Sequence, residues 1–168
     1  MDPTHIHLIF NHLPVLGSVV ALALLAFGIL KKNDSLTNAG LAAAVVSALG
    51  AIPVFLTGDE AEDAVEHLPG VVRSMIHEHE HAADFAFWGI ILLGILALVT
   101  LWLRRKNHSL SKLFTTISCL LSLFVFTMMA KTSFEGGKIR HTEVRATSEA
   151  SQNVEQPAGG QDKDKDED

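Results

Sequence analysis

Four long apolar runs dominate the sequence, and they constrain its fold more than any other feature. They cover residues 13–30, 36–56, 85–103 and 110–130 of the 168-residue chain. Each run is close to the roughly 20 residues that a helix needs to cross the hydrocarbon core of a bilayer. Because unpaired backbone groups are costly in lipid, spans of this length are expected to be helical. The sequence therefore predicts an all-α fold, an integral membrane four-helix bundle with an up-down-up-down arrangement.

The charge of the chain is concentrated at its C-terminal end. Residues 143–168 carry eight acids and three bases, which is a net −5 out of a total of −6. Few apolar residues occur there, and this combination is typical of a segment that cannot bury enough surface to fold. We therefore divide the chain into a four-helix transmembrane domain, residues 1–142, and a disordered acidic tail, residues 143–168.

Basic residues predict the orientation of the bundle. Lys31 and Lys32 follow the first apolar run, and residues 104–106 follow the third. Short loops rich in Lys and Arg stay on the cytoplasmic side of a membrane. The sequence thus predicts a multi-pass protein of the inner (plasma) membrane, with both termini and the 58–84 loop outside the cytoplasm. The lipid bilayer is the expected partner, and no basic stripe indicates nucleic-acid binding.

Helix boundaries follow from capping and breaking residues. The first helix either starts near residues 11 and 12, with Pro14 in its first turn, or starts near Thr4 and kinks at Pro14. Residues 57–67 predict a short outer amphipathic helix between the second and third spans. Ser74 is a suitable N-cap for the third helix, and Gly136 and Gly137 are expected to stop the fourth.

Histidine is distributed unequally between the two predicted sides. Eight of the nine histidines fall on the outer side: His5, His7, His12, His67, His77, His79, His81 and His141. The densest group runs from His77 to Asp84, where three histidines and three carboxylates occur within eight residues. Neutral imidazole is the commonest metal ligand in proteins, and carboxylates complete many sites. The alternative is a solvated, charge-dense helix start, which the helix dipole favours for acids.

This distribution predicts an outer-face site for a transition metal (Zn, Fe or Cu) or for a single b-type heme. The three residues expected to bind the cofactor are His12, His79 and His81. The wider set of candidate metal ligands is His7, His12, Asp59, Glu62, His67, His77, His79, Glu80 and His81. No charged residue or histidine lies in the middle of any apolar run, which argues against a pump or channel acting as a monomer.

Three functions remain open at this stage. The first is redox chemistry or electron exchange with an outer-side redox protein. The second is a metal-dependent hydrolase, with Glu78 or Glu80 as general base. The third is an accessory structural subunit of a larger membrane complex, packing through small-residue faces that include Gly17 and Gly40.

A resemblance to a known family rests on a few residues at the two ends of the bundle. His7-x4-His12-x-Pro14 opens the first span, and Gly136-Gly137 follows the last. The chain is similar in this to a bacterial family of predicted four-helix membrane proteins of unknown function. Its members open with His-Pro-x-x-Val-His-Phe-Pro and close with Gly-Gly. Leu and Leu stand here, at positions 8 and 13, where the family has its first Pro and its Phe. The resemblance implies a four-helix membrane protein whose paired histidines bind a metal or heme, with no established activity.

Overall fold

The computed structural model describes residues 3–67 and 69–141. These residues form helices and no strand, which confirms the all-α prediction. The helices are α1 (Pro3–Phe10), α2 (His12–Leu30), α3 (Asp34–Leu56), α4 (Gly58–Asp63), α5 (Arg73–Arg105) and α6 (Ser111–Arg140). The predicted acidic tail, residues 143–168, lies outside the described residues.

Four helical segments are long and apolar enough to cross a membrane. They are Thr4–Leu30, Asp34–Leu56, Arg73–Arg105 and Ser111–Ile139. The longest, α5, has 33 residues and is therefore about 50 Å long at 1.5 Å per residue. Large apolar side chains such as Trp88, Trp102 and Phe124 are exposed on the outside of the bundle. The prediction of four helices that are long and apolar enough to span a membrane is confirmed.

The first membrane segment is interrupted at Asn11, between α1 and α2. Pro14 lacks a backbone N–H, and its ring crowds the carbonyl four residues earlier, at Phe10, where α1 ends. Asn11 nevertheless keeps helical angles, and its N–H donates to the carbonyl of His7 at 2.9 Å. Of the two alternatives for this helix, the early start with a break near Pro14 is therefore correct. The side chains of His7 and Asn11 consequently share one helical face.

Other boundaries differ from the prediction. The third membrane helix begins at Arg73 with Val72 as its N-cap, so the assignment of Ser74 as the cap was wrong. The outer helix α4 ends at Asp63, and residues 64–67 form turns. The fourth helix continues through Gly136 and Gly137 to Arg140. The predicted stop there was wrong because glycine in a helix costs only about 1 kcal/mol, which packing can offset.

The small-residue faces of α2 and α3 pack closely against each other. A Cβ on Gly17 would collide with Ser47, and one on Gly28 would lie 2.6 Å from the backbone nitrogen of Thr37. A Cβ on Gly40 would likewise come too close to Leu25. The faces expected to contact partner subunits therefore serve contacts within the chain. Other helix pairs in contact include α3 with α5, α5 with α6, α2 with α6, and α1 with α3 and α4.

Polar side chains join three helices at what we call the arginine end, defined by Asp34, Asn38, Arg104 and Thr115. Arg104 on α5 donates through Nη2 to Asp34 Oδ1 at 2.6 Å and through Nε to Asn38 Oδ1 at 2.7 Å. A third bond runs from its Nη1 to Thr115 Oγ1 on α6, at 3.4 Å. These bonds tie α5 to both α3 and α6.

Candidate functional site

Two histidines are held by backbone carbonyls at the other end of α5, which we call the histidine end and define by His7, Val54, His79 and Thr132. Nδ1 of His7, on α1, donates to the Val54 carbonyl of α3 at 3.0 Å. Nδ1 of His79, on α5, donates to the Thr132 carbonyl of α6 at 3.0 Å. A carbonyl oxygen can only accept, so each Nδ1 must carry the ring proton. Each Nε2 is thereby left with a free lone pair.

The two rings are close enough to influence each other. Both side chains are half-buried, and a charge on His79 acts on His7. Placing a proton on both rings would set two positive charges against each other in a poorly solvated place. The pair is therefore best described as two neutral imidazoles, which is the form that binds metals.

The last turns of α6 surround His79. A Cβ built on Gly136 would lie 3.0 Å from Cε1 and 3.1 Å from Nδ1 of the His79 ring, so the imidazole rests directly on the α6 backbone. Glu135 is a buried residue, and its carboxylate acts electrostatically on His79 and is paired with Lys138 Nζ at 2.8 Å. The His79 ring is thus fixed by a hydrogen bond, a backbone contact and a nearby charge.

An unpaired polar atom lies one turn from His7. The side-chain oxygen Oδ1 of Asn11 is buried and has no hydrogen-bond partner among the described residues. Leaving a buried acceptor without a donor costs about 1–3 kcal/mol. Such atoms call for an explanation, for which a bound water, an ion or a functional group is the usual one.

The predicted cofactor ligands are not equivalent in the structure. His79 is half-buried, whereas His12 is exposed on α2 and His81 is exposed on α5. The ring of His81 lies 5.1 Å from that of Phe85. His7, a member of the wider candidate set that the sequence did not rank first, is half-buried as well, and a charge on His79 acts on it. Ligand roles for His12 and His81 stay predictions.

Two carboxylates of the candidate set meet where α4 approaches α5. The protonated carboxyl of Glu62 donates a hydrogen bond to Glu80, and this bond, together with partial burial and neighbouring negative charge, raises the pKa of Glu62 to about 7. The two residues line an open groove of about 470 Å³ together with Arg73, Ser74 and His77. The proton that joins the two side chains is therefore carried by Glu62 over part of the physiological pH range.

The other candidates are solvent-facing. Asp59 is exposed on α4. The His67 side chain is 88% exposed beside Glu66, and that of His77 is 80% exposed at 3.8 Å from Glu80. Across residues 3–67 and 69–141, no three His, Cys, Asp or Glu side chains are arranged to hold a metal ion. What the described chain offers is a pair of imidazoles.

Helical spacing in α1 could have pointed to His7. Had the early start near Thr4 been chosen, His7 and Asn11 would have shared a face, with His12 about 100° around the helix from Asn11. No signal in the sequence indicated which carbonyls would receive the two Nδ1 protons.

No protein-family model, curated protein or solved structure matches this chain. Membership of the bacterial family named above therefore stays a prediction. A functional proposal must rest on the chemistry of the histidine end.

Proposed function

We propose that the protein crosses the inner membrane four times, up-down-up-down, with the histidine end outside the cytoplasm. The basic residues beside the arginine end support this orientation, because Lys31, Lys32 and residues 104–106 all lie there. In a Gram-negative cell the histidine end then faces the periplasm.

Cysteine labelling in intact cells tests this orientation. In a Cys119→Ser background, a membrane-impermeant maleimide should label His67→Cys directly and Lys32→Cys only after permeabilisation. Both positions are exposed, so accessibility to the reagent reports the side of the membrane. The reverse labelling pattern would invert the assignment.

We further propose that the histidine end holds a single b-type heme through Nε2 of His7 and of His79. The observation that carries this is the pair of half-buried imidazoles whose Nδ1 protons are committed to the carbonyls of Val54 and Thr132. Metal-binding histidines usually donate their second ring N–H to such an acceptor, which fixes the tautomer and the ring orientation. Heme iron takes histidine as an axial ligand.

The number of ligands favours heme over a free ion. The porphyrin occupies four positions of heme iron, so two imidazoles complete the set. A structural zinc site needs four protein ligands, and a catalytic one needs three, but no group of three is formed by the described residues. A free transition-metal ion is the second candidate. It is favoured by the Glu80 and Glu135 carboxylates, whose charges act on His79.

The activity proposed is one-electron exchange with an outer-side redox protein. Bound heme would supply the redox couple, and the protein would hold the two axial imidazoles neutral and oriented. Since the spans carry no charged residue or histidine at mid-depth, a second centre for electron transfer across the membrane has no ligands there. Hydrolysis is less favoured, because it needs an open metal position held by more ligands than this pair provides.

The test is the absorption spectrum and the Fe, Cu and Zn content of the detergent-purified protein. Wild type should show a Soret band with about one iron per chain, as a two-imidazole heme site requires. His7→Ala and His79→Ala should each lose it. His12→Ala and His108→Ala are matched controls, because both side chains are exposed, and both should keep the band.

The outcomes separate the alternatives. Stoichiometric metal without a Soret band would favour the free ion over heme. Loss of the cofactor in His12→Ala but not in His7→Ala would restore the ligand set predicted from sequence. Neither heme nor metal in wild type would reject a cofactor site altogether.

A further inference from the structure

Of the two adjacent glycines in α6, Gly136 and Gly137, only Gly136 approaches the His79 ring. Helix formation does not explain a glycine at either position. Each of these glycines lies inside a continuous helix, where glycine costs about 1 kcal/mol relative to alanine. A Cβ on Gly137 would meet no atom of the described residues within 4 Å. A Cβ on Gly136 would lie 3.0, 3.1 and 3.8 Å from three atoms of the His79 ring. Two adjacent residues of one type thus stand in opposite environments.

The ring cannot simply move away from a side chain at position 136. His79 Nδ1 is bonded to the Thr132 carbonyl at 3.0 Å, and Thr132 lies one helical turn before Gly136, on the same face of α6. Displacing the imidazole by the few tenths of an ångström that a methyl group demands would lengthen and bend this bond. The bond is what selects the tautomer with a free lone pair on Nε2.

We propose that Gly136 is a positioning residue: together with the Thr132 carbonyl it forms a seat that fixes the tautomer and orientation of His79 for metal or heme binding. This rests on the proposed function for its purpose, since the seat matters to function only if His79 is a ligand. The seat itself is a property of the protein before any cofactor binds. It can therefore be tested with and without one.

The experiment compares Gly136→Ala with Gly137→Ala in the full-length, detergent-purified protein. Both changes add one methyl group to the same helix and gain the same helix propensity. The first readout is the tautomer of His79 in the cofactor-free protein, measured from the ¹⁵N shifts and long-range couplings of its ring nitrogens. The second readout is affinity for the probes hemin and Co²⁺, followed by absorption.

Gly137→Ala should match wild type in both readouts. Gly136→Ala should lose the single Nδ1–H tautomer and bind the probe that wild type binds about 10- to 100-fold more weakly, the usual effect of disturbing the support of a ligand. An unchanged tautomer and affinity in Gly136→Ala would overturn the proposal. An equal loss in Gly137→Ala would also overturn it.

A second comparison covers the case in which Gly136→Ala folds poorly. If the clash is with the imidazole, Gly136→Ala should lower the thermal stability of wild type but not that of His79→Ala, where the ring is absent. Equal destabilisation in both backgrounds would overturn the seat. Wild type that binds neither hemin nor Co²⁺, with the tautomer lost only in Gly136→Ala, would reject the proposed function and leave the seat intact.

Discussion

At the arginine end of this bundle a guanidinium binds side chains of other helices, whereas at the histidine end two imidazoles bind backbone carbonyls. At the arginine end, Arg104 supplies three donors to acceptors on α3 and α6, so helices are joined by bonds that need nothing further. At the histidine end, His7 and His79 have both committed their ring protons to carbonyls. In the neutral form neither imidazole has a proton left to give to the other, and the Oδ1 atom of Asn11 has no donor in the part of the chain that the structure describes.

The two ends differ in what their polar side chains can still bind. The Arg104 guanidinium uses three of its five N–H groups to join helices and has no lone pair to offer a cation. The two imidazoles also join helices, through Nδ1, but in the neutral form each keeps a lone pair that can bind a cation. The two ends can therefore be distinguished by how strongly each responds to small changes.

The largest difference in the free energy of unfolding is expected between substitutions at Gly28 and at Gly50, two positions where α2 and α3 lie close together. A Cβ on Gly28, toward the arginine end, would lie 2.6 and 2.9 Å from backbone atoms of Thr37. A Cβ on Gly50, toward the histidine end, would meet only side-chain atoms of Leu13, the nearest at 2.4 Å. The Leu13 side chain is 39% exposed and can turn away, whereas the backbone cannot.

We expect Gly28→Ala to lower the free energy of unfolding by about 2–3 kcal/mol, since overpacking forces the helices apart. Gly50→Ala should stay within about 1 kcal/mol of wild type, because the gain in helix propensity offsets a side-chain rearrangement. Denaturation of the two variants in detergent micelles by increasing SDS measures both. Equal losses would show that the two ends are packed with the same tolerance.

A smaller effect on stability is expected from a change of pH, and it arises at the contact between Glu62 and Glu80. The pKa of Glu62 is about 7 in the folded protein against an ordinary 4.5, so the folded chain binds more protons than the unfolded chain between these values. The contribution of the proton on Glu62 to stability is therefore complete below about pH 4.5 and is lost as the pH rises through about 7. The contact of α4 with α5 should loosen over the same range.

Amide hydrogen exchange in α4, corrected for intrinsic rates, should accordingly be faster at pH 8 than at pH 5.5. Glu62→Gln should remove this dependence, because a neutral amide keeps a donor for Glu80 at every pH. Glu60→Gln is the matched control on the exposed side of α4 and should leave the dependence in place. A pH-independent wild type would contradict the protonated Glu62.

The architecture could be predicted from sequence to a large extent. Four apolar runs of about 20 residues without central charges leave helices as the only way to satisfy the backbone in lipid, and these four helices are present. The break before Pro14 was one of two stated alternatives, since the ring of proline acts locally. Errors arose at Ser74, where the helix begins one residue earlier, at Arg73, and at Gly136, where the helix continues and the backbone contacts His79.

The candidate site was only partly within reach of the sequence. The unequal distribution of histidine predicts which end of the bundle holds the site, and this stays a prediction. The distribution could not choose among eight histidines, because that choice depends on the rotation of each helix about its axis. His7 and His79 are distinguished by the carbonyls of Val54 and Thr132, which belong to helices far away in the sequence.

The sequence by itself thus determined which segments are helical and membrane-sized, since period, length and hydrophobicity are properties of a single stretch of chain. Only the tertiary structure decided which carbonyls the imidazoles of α1 and α5 bind, that Gly136 contacts one of these rings, and that the glycines of α2 and α3 pack internally. These outcomes depend on the relative rotation and depth of neighbouring helices, which are set by side-chain packing across the bundle.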